Sequence, residues 1–131
     1  MAPRRNKQLK VYVAAPWKHK STAKAAVERL KSEGFTVTSR WVDFPGASWD
    51  LDVLRLEAQN DWADLKDSHV LVLLNIELSE GKAVEQGIAL QLGLPIIGVG
   101  EPSKNVFHYL PHYTWVETIG KAVEELEGMV Y

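Results

Sequence analysis

The chain of 131 residues carries 15 basic and 17 acidic side chains, a formal net charge of −2, and 46% hydrophobic and 24% charged residues. This is the composition of one ordinary globular domain with a single core, and its near-neutral balance leaves no electrostatic footprint for nucleic acid. The absence of cysteine removes disulfides, thiolate metal sites and a cysteine nucleophile together.

Met1 to Lys10 is basic and polar and lacks the apolar stretch of a signal peptide, and no apolar run approaches ~18 residues. Residues 1–9 therefore read as a flexible basic tail and residues 10–131 as a single domain. The expected location is cytoplasmic, without a membrane partner.

Lys10-Val11-Tyr12-Val13-Ala14-Ala15 is a short β-rich run stopped by Pro16, and Ser21 is positioned to cap a helix running to Gly34. In that helix Ala23, Ala26, Val27 and Leu30 form the apolar stripe. Phe35 to Trp41 alternates like a second strand, Phe44 to Ser48 is a loop, and Leu51 to Asp67 is a second helix. Its stripe is Leu54, Ala58 and Leu65, with Asp61 on the same face at i+7 from Leu54. A carboxylate thus points inward.

Val70 to Leu74 is the most strand-like run of the chain. Ser79 and Gly81 then lead into a third helix, whose apolar residues Val84, Ile88 and Leu92 recur at helical spacing. Glu85 shares a face with Ile88, Ala89 and Leu92, so a second carboxylate is expected to turn inward. Pro95 to Val99 is a fourth strand, Thr114 to Val116 a short fifth, and Thr118 to Gly128 a closing helix. Strands alternating with helices of this length imply right-handed crossovers and a parallel sheet of about five strands, a flavodoxin-like (Rossmann-like) three-layer α/β sandwich. Ligands bind such sheets at the carboxyl ends of the strands, where the loops after Ala15, Trp41, Asn75 and Gly100 all fall.

Inward carboxylates on two helices are the arrangement that glycosyl chemistry uses, one as nucleophile and one as acid or positioner. Each also has a structural alternative, as a cap or as a contact between copies. Tyr12 has its own alternative in core packing, and Lys18, His19 and Lys20 form either an anion-binding or a merely solvated loop. His108 and His112 are separated by Pro111 and lack a carboxylate or cysteine partner, which argues against a metal site. Gly98 and Gly100 do not form a dinucleotide fingerprint, and no P-loop is present, so no cofactor is expected. Among Trp17, Trp41, Trp49, Trp62 and Trp115, some are candidates for a lid over a planar base and others for the core.

The first strand, an inward Asp61, the apolar strand and then Ser79-x-Gly81-x-x-x-Glu85-x-Gly87-x-Ala89-x-x-x-Gly93-x-Pro95-Ile96 together resemble the nucleoside 2-deoxyribosyltransferase superfamily, which includes 2'-deoxynucleoside 5'-monophosphate N-hydrolases. The resemblance implies an enzyme that breaks the bond between a base and deoxyribose. Glu85 matches the glutamate that attacks the anomeric carbon, Asp61 the aspartate that orients the sugar or helps the base leave, and Tyr12 the tyrosine that positions the nucleophile. It also implies homo-oligomers, dimeric or higher, with sites completed by a neighbouring subunit, a role for Asn105 or Tyr131.

Transferases of this group carry an aspartate six residues before the nucleophile. This chain has Ser79, as the monophosphate hydrolases do. With the Gly81 amide and Lys18, which replaces the hydrolases' arginine in a first loop of Ala15-Pro16-Trp17-Lys18, Ser79 implies a phosphate cradle. The expected substrate is accordingly a deoxynucleoside 5'-monophosphate, with the free deoxynucleoside and transfer to another base as the alternative. An alternative of another class is a non-catalytic nucleotide-binding module on the same scaffold.

Overall fold

The computed structural model describes residues 9–46 and 50–129. Residues 1–8 of the expected tail, Trp49 and Tyr131 lie outside that range. Leu9, assigned above to the tail, is buried in the core, and Lys10 opens the first strand.

Five strands, β1 (Lys10–Ala14), β2 (Thr36–Val37), β3 (Val70–Leu74), β4 (Ile96–Val99) and β5 (Tyr113–Val116), form one sheet in the order β2-β1-β3-β4-β5. All pairings are parallel. The helices are α1 (Lys20–Ser32), α2 (Leu51–Lys66), α3 (Glu80–Leu92) and α4 (Ile119–Glu127). Strand order reverses after β2. Right-handed crossovers therefore put α1 and α4 on one face and α2 and α3 on the other. β3 is central and buried at all five positions, which explains why its sequence shows an unbroken apolar run instead of alternation. Gly93 ends α3 in the left-handed conformation at φ 74°, and the amide of Leu94 reaches back to the carbonyl of Ala89.

Three local expectations are corrected. The second strand does not run to Trp41. After Val37 the backbone groups of Val13 are taken by side chains: its N–H donates to Ser39 Oγ at 3.1 Å, and its carbonyl accepts from Trp41 Nε1 at 2.8 Å. The chain is thus released from the ladder into a 3-10 turn, Arg40–Asp43. Ser21 does not cap α1 either. A 3-10 turn at Trp17–His19 winds straight into the helix, leaving Ser21 one residue inside. On α3 the buried residues are Lys82, Gln86 and Ala89, at i, i+4 and i+7, whereas Val84 and Leu92 are exposed. The sheet-facing stripe of that helix is more polar than the stripe read from the sequence.

Candidate active site

The carboxyl ends of β1, β2 and β3 and the facing sides of α2 and α3 enclose a cavity of about 530 Å³. Three of the four flagged loops reach it, through Ala15 and Trp17, through Phe44 and Gly46, and through Ser79. The fourth, after Gly100, is tied elsewhere: the Asn75 amide donates to the Glu101 carbonyl at 2.7 Å and to Ser103 Oγ at 3.1 Å.

One wall is aromatic. Trp17 sits 6.0 Å, centroid to centroid, from both Trp41 and Phe44, and Lys20 Nζ lies 4.9 Å above the Trp17 ring. Lys20 also donates to the carbonyl of Phe44, holding the loop against the turn. Gly46, at φ 70°, leaves the space that Trp17 fills, since a Cβ there would come within 2.0 Å of the indole. Trp62 on α2 also borders the cavity, while Trp115 packs over Gly98, away from it.

The opposite wall is acidic. Leu54, Ala58, Asp61 and Leu65, the stripe expected from the sequence, all border the cavity, and Glu57 joins them one turn before Asp61. Glu85 enters from α3. From behind, the fully buried Tyr12 donates its hydroxyl to Glu85 Oε2. Burial pushes the Glu85 carboxyl up to about 8, with the Asp61 charge adding to the rise and Tyr12 and Lys82 opposing it. Asp61 is pushed up to about 6 by burial and by the charges of Glu57 and Asp64, against the pull of Arg40. Burial, followed by the negative charges of Glu85 and Asp61, raises the Tyr12 phenol, so it stays protonated as a donor. Asp61 Oδ1 is buried and has no hydrogen-bond partner among the described residues. An unsatisfied buried acceptor is costly, and the residue that carries it borders the cavity.

The structure therefore brings Tyr12, Asp61, Glu85, Ser79 and Gly81 together. Ser79 already caps α3, its Oγ accepting from the Lys82 amide at 3.4 Å. Lys18 is not on the wall: it is largely exposed and pairs with Glu77 at 3.1 Å. Asn105 is also outside the cavity and accepts from the Phe107 amide within its own 3-10 turn, Val106–Tyr109. His108 in that turn is buried, and its Nδ1 accepts from the Ser103 amide at 2.9 Å.

Sequence reasoning missed several residues that shape the site. Glu57 was detectable at i−4 from Asp61. Asp64, at i+3, is buried and takes the Arg40 backbone N–H at 3.1 Å and its guanidinium at 2.8 to 3.1 Å. Nothing in the pattern singled out that pair, because it joins a helix to an irregular turn. Lys82 and Gln86 are long polar residues that composition assigns to solvent, yet both are buried.

No family model matches the chain, and no curated protein does. Among solved structures it is similar to the 2-deoxyribosyltransferase of the psychrotolerant bacterium Bacillus psychrosaccharolyticus, with TM-score 0.69 and 22% identity over 93% of each chain. It is also similar to the CMP N-glycosidase BcmB of Clostridium botulinum, with TM-score 0.58 and 19% identity over 90% of this chain and 98% of that one. The chain shares the α/β fold of these two enzymes. At these identities the likeness concerns the path of the chain. The chemistry rests on the side chains of the α2–α3 cavity.

Proposed function

We propose that the chain is an enzyme that cleaves the N-glycosidic bond of a 2'-deoxynucleoside, with Glu85 as nucleophile. The observation that carries this reading is a carboxylate held by a buried tyrosine beside a second, unsatisfied carboxylate, opposite an aromatic wall suited to a planar base. Tyr12 binds Oε2 and leaves Oε1 for carbon. As Oε1 bonds to C1', the C1'–N bond breaks, its electron pair leaves with the base, and the base takes a proton from water. Water or a second base then attacks C1' and frees the carboxylate, its released proton neutralising the hydroxide left by the first step. The positive charge that develops on the sugar is stabilised more by a carboxylate in an apolar cavity than by one in water. The Asp61 carboxylate, which borders the same cavity, accepts a sugar hydroxyl.

For the 5' end the wall favours the free nucleoside, the reverse of the sequence-level leaning. Glu57, Asp61 and Glu85 line the cavity, no Lys, Arg or His lines it among the described residues, and Lys18 is engaged by Glu77. A dianionic phosphate is repelled by such a wall. The 5'-monophosphate stands as a second reading because Ser79 and Gly81 bring the positive end of α3 to the same cavity. A homo-oligomer accompanies either reading. Trp62 on α2 and Val84 on α3 are exposed at the cavity, and Leu51, Leu56 and Leu92 are exposed elsewhere on the same two helices, apolar surface that a second copy would cover, with Asn105 of that copy completing the site.

The test is incubation with each deoxynucleoside and each monophosphate, with and without a second base, following base release. Release from free nucleosides at higher kcat/KM than from monophosphates supports the reading. The opposite ratio returns the phosphate cradle, and no release from any of them defeats the enzyme.

A further inference from the structure

Lys82 occupies a place where a helix rarely puts an ammonium group. It lies one turn before Glu85 on α3, faces the sheet and is 2% exposed. Its Nζ donates to Asn75 Oδ1 at 2.9 Å, and among the described residues no carboxylate comes within ion-pairing distance of it. Asn75 is fixed in orientation, because its amide donors are used by the Glu101 carbonyl and Ser103 Oγ. The backbone beneath the lysine is fixed as well: its carbonyl accepts from Gln86 Nε2 at 3.1 Å, and Gln86 in turn accepts from the Tyr113 hydroxyl at 2.7 Å. A helix that needed only an anchor here would use an apolar residue, because a buried ammonium facing one neutral oxygen is expensive.

We propose that Lys82 is a positioning residue for Glu85, a buried ammonium beneath the first turn of α3 that offsets the negative charge Glu85 must carry to act. Its charge is not consumed by a close ion pair and so acts at longer range on the carboxylates around it. The groups that face Lys82 are Glu77 from the loop after β3, Glu85 on its own helix and His108 from the 3-10 turn; those that face Glu85 are Tyr12 from β1, Asp61 from α2 and Lys82. His108 does not compete as a cation, because its Nδ1 accepts a backbone N–H and its burial disfavours protonation. Burial lowers the Lys82 ammonium and the charges of Glu77 and Glu85 sustain it, which is the reciprocal of its pull on Glu85.

The inference rests on the nucleophile reading, and the experiment separates the two. The Glu85 side-chain carboxyl is titrated by carbon-13 NMR in the full chain, without substrate, in wild type and in Lys82→Met. Its midpoint is expected to move up by about one pH unit when the charge is removed. The acid limb of the kcat/KM profile for deoxynucleosides moves with it, so activity falls about tenfold at pH 7 and much less above the limb. Lys82→Arg, which keeps the charge, recovers part of the shift; a merely structural lysine would leave both midpoints where they were. Asn75→Ala keeps the lysine and removes its tether, which covers a Lys82→Met chain that does not fold. It moves the same midpoint in the same direction by a smaller step. An unmoved carboxyl titration in a folded variant overturns the proposal. A moved titration in a protein that cleaves no nucleoside leaves Lys82 as the electrostatic partner of Glu85 and overturns the nucleophile reading instead.

Discussion

Two crevices open at the carboxyl edge of the same sheet, one between α2 and α3 and one between α1 and α4. Their volumes are about 530 and 410 Å³, so size does not tell them apart. Their polar groups do. In the α1–α4 crevice Arg29 pairs with Glu33 at 3.0 Å and Thr118 caps α4 by accepting from the Lys121 amide at 3.1 Å, over a floor of Leu74, Val99 and Ile119. In the α2–α3 crevice Asp61 Oδ1 has no partner among the described residues, and Glu85 is held in a site that disfavours its charge. A parallel sheet offers both sides as ligand crevices. What distinguishes them is buried acidity that, among the described residues, no close ion pair neutralises, a cost tolerated where a ligand or a developing positive charge would recover it.

The largest effect that sharpens this contrast is expected from Glu85→Gln. It keeps shape and the contact with Tyr12, removes the charge, and lowers kcat by about 10³-fold or more. Stability should move the other way at alkaline pH. The folded chain holds the Glu85 proton up to about 8, against an ordinary value of 4.5, so its contribution is fully present below 4.5 and is lost as pH rises through about 8. Wild-type Tm therefore declines across that window, and Glu85→Gln declines less, lying above wild type by several degrees at pH 9. Activity runs opposite to stability, because the nucleophile must be ionised: kcat/KM rises with pH toward about 8. Parallel Tm curves for the two proteins would assign the slope to another group.

Next in size is the pair Asp61→Ala and Asp64→Ala, three residues apart on one helix. Asp64 is satisfied by Arg40, and losing it leaves the guanidinium and the Arg40 amide without their acceptor, at about 1–3 kcal/mol of stability. Asp61 is unsatisfied, so its removal leaves Tm unchanged or raises it while kcat/KM falls about 10²-fold. Melting curves and kinetics on the same preparations read the two apart, and a similar loss of Tm in both variants would make Asp61 structural.

The same contrast marks what was legible in the sequence. The strand-helix alternation of a parallel sheet, the four helices and the stripe Leu54, Ala58, Asp61 and Leu65 follow from periodicity, because burial against one sheet imposes a repeat that a linear pattern records, whereas the strand order came only with the structure. The closeness of Tyr12 to Glu85, 73 residues apart, entered through the motif resemblance and is met in the structure. Periodicity failed where side chains replaced backbone pairing, at Ser39 and Trp41, and where polar residues were buried, at Lys82, Gln86 and Asp64. The partners of those three lie on Asn75, Tyr113 and Arg40, on other elements of the fold, so no local pattern betrays them. Lys18 failed for a related reason: its charge is met by Glu77, a pairing across two loops.

The smallest effects test the contrast with the least disturbance. Ala58 on α2 and Ala25 on α1 are both exposed alanines, each bordering one crevice. Leucine has nearly the helix propensity of alanine, so Ala58→Leu and Ala25→Leu leave the helices intact and differ only in which crevice they fill. Filling the α2–α3 cavity removes room for the base, and kcat/KM is expected to fall about tenfold, mostly through KM. Filling the α1–α4 crevice should keep kcat/KM within about twofold of wild type. Equal losses would mean that activity senses the packing of the whole sheet edge, and a loss confined to Ala25→Leu would move the substrate to the other face. The ordering Ala58→Leu below Ala25→Leu, at unchanged Tm for both, ties the chemistry to the crevice that holds the unneutralised carboxylates.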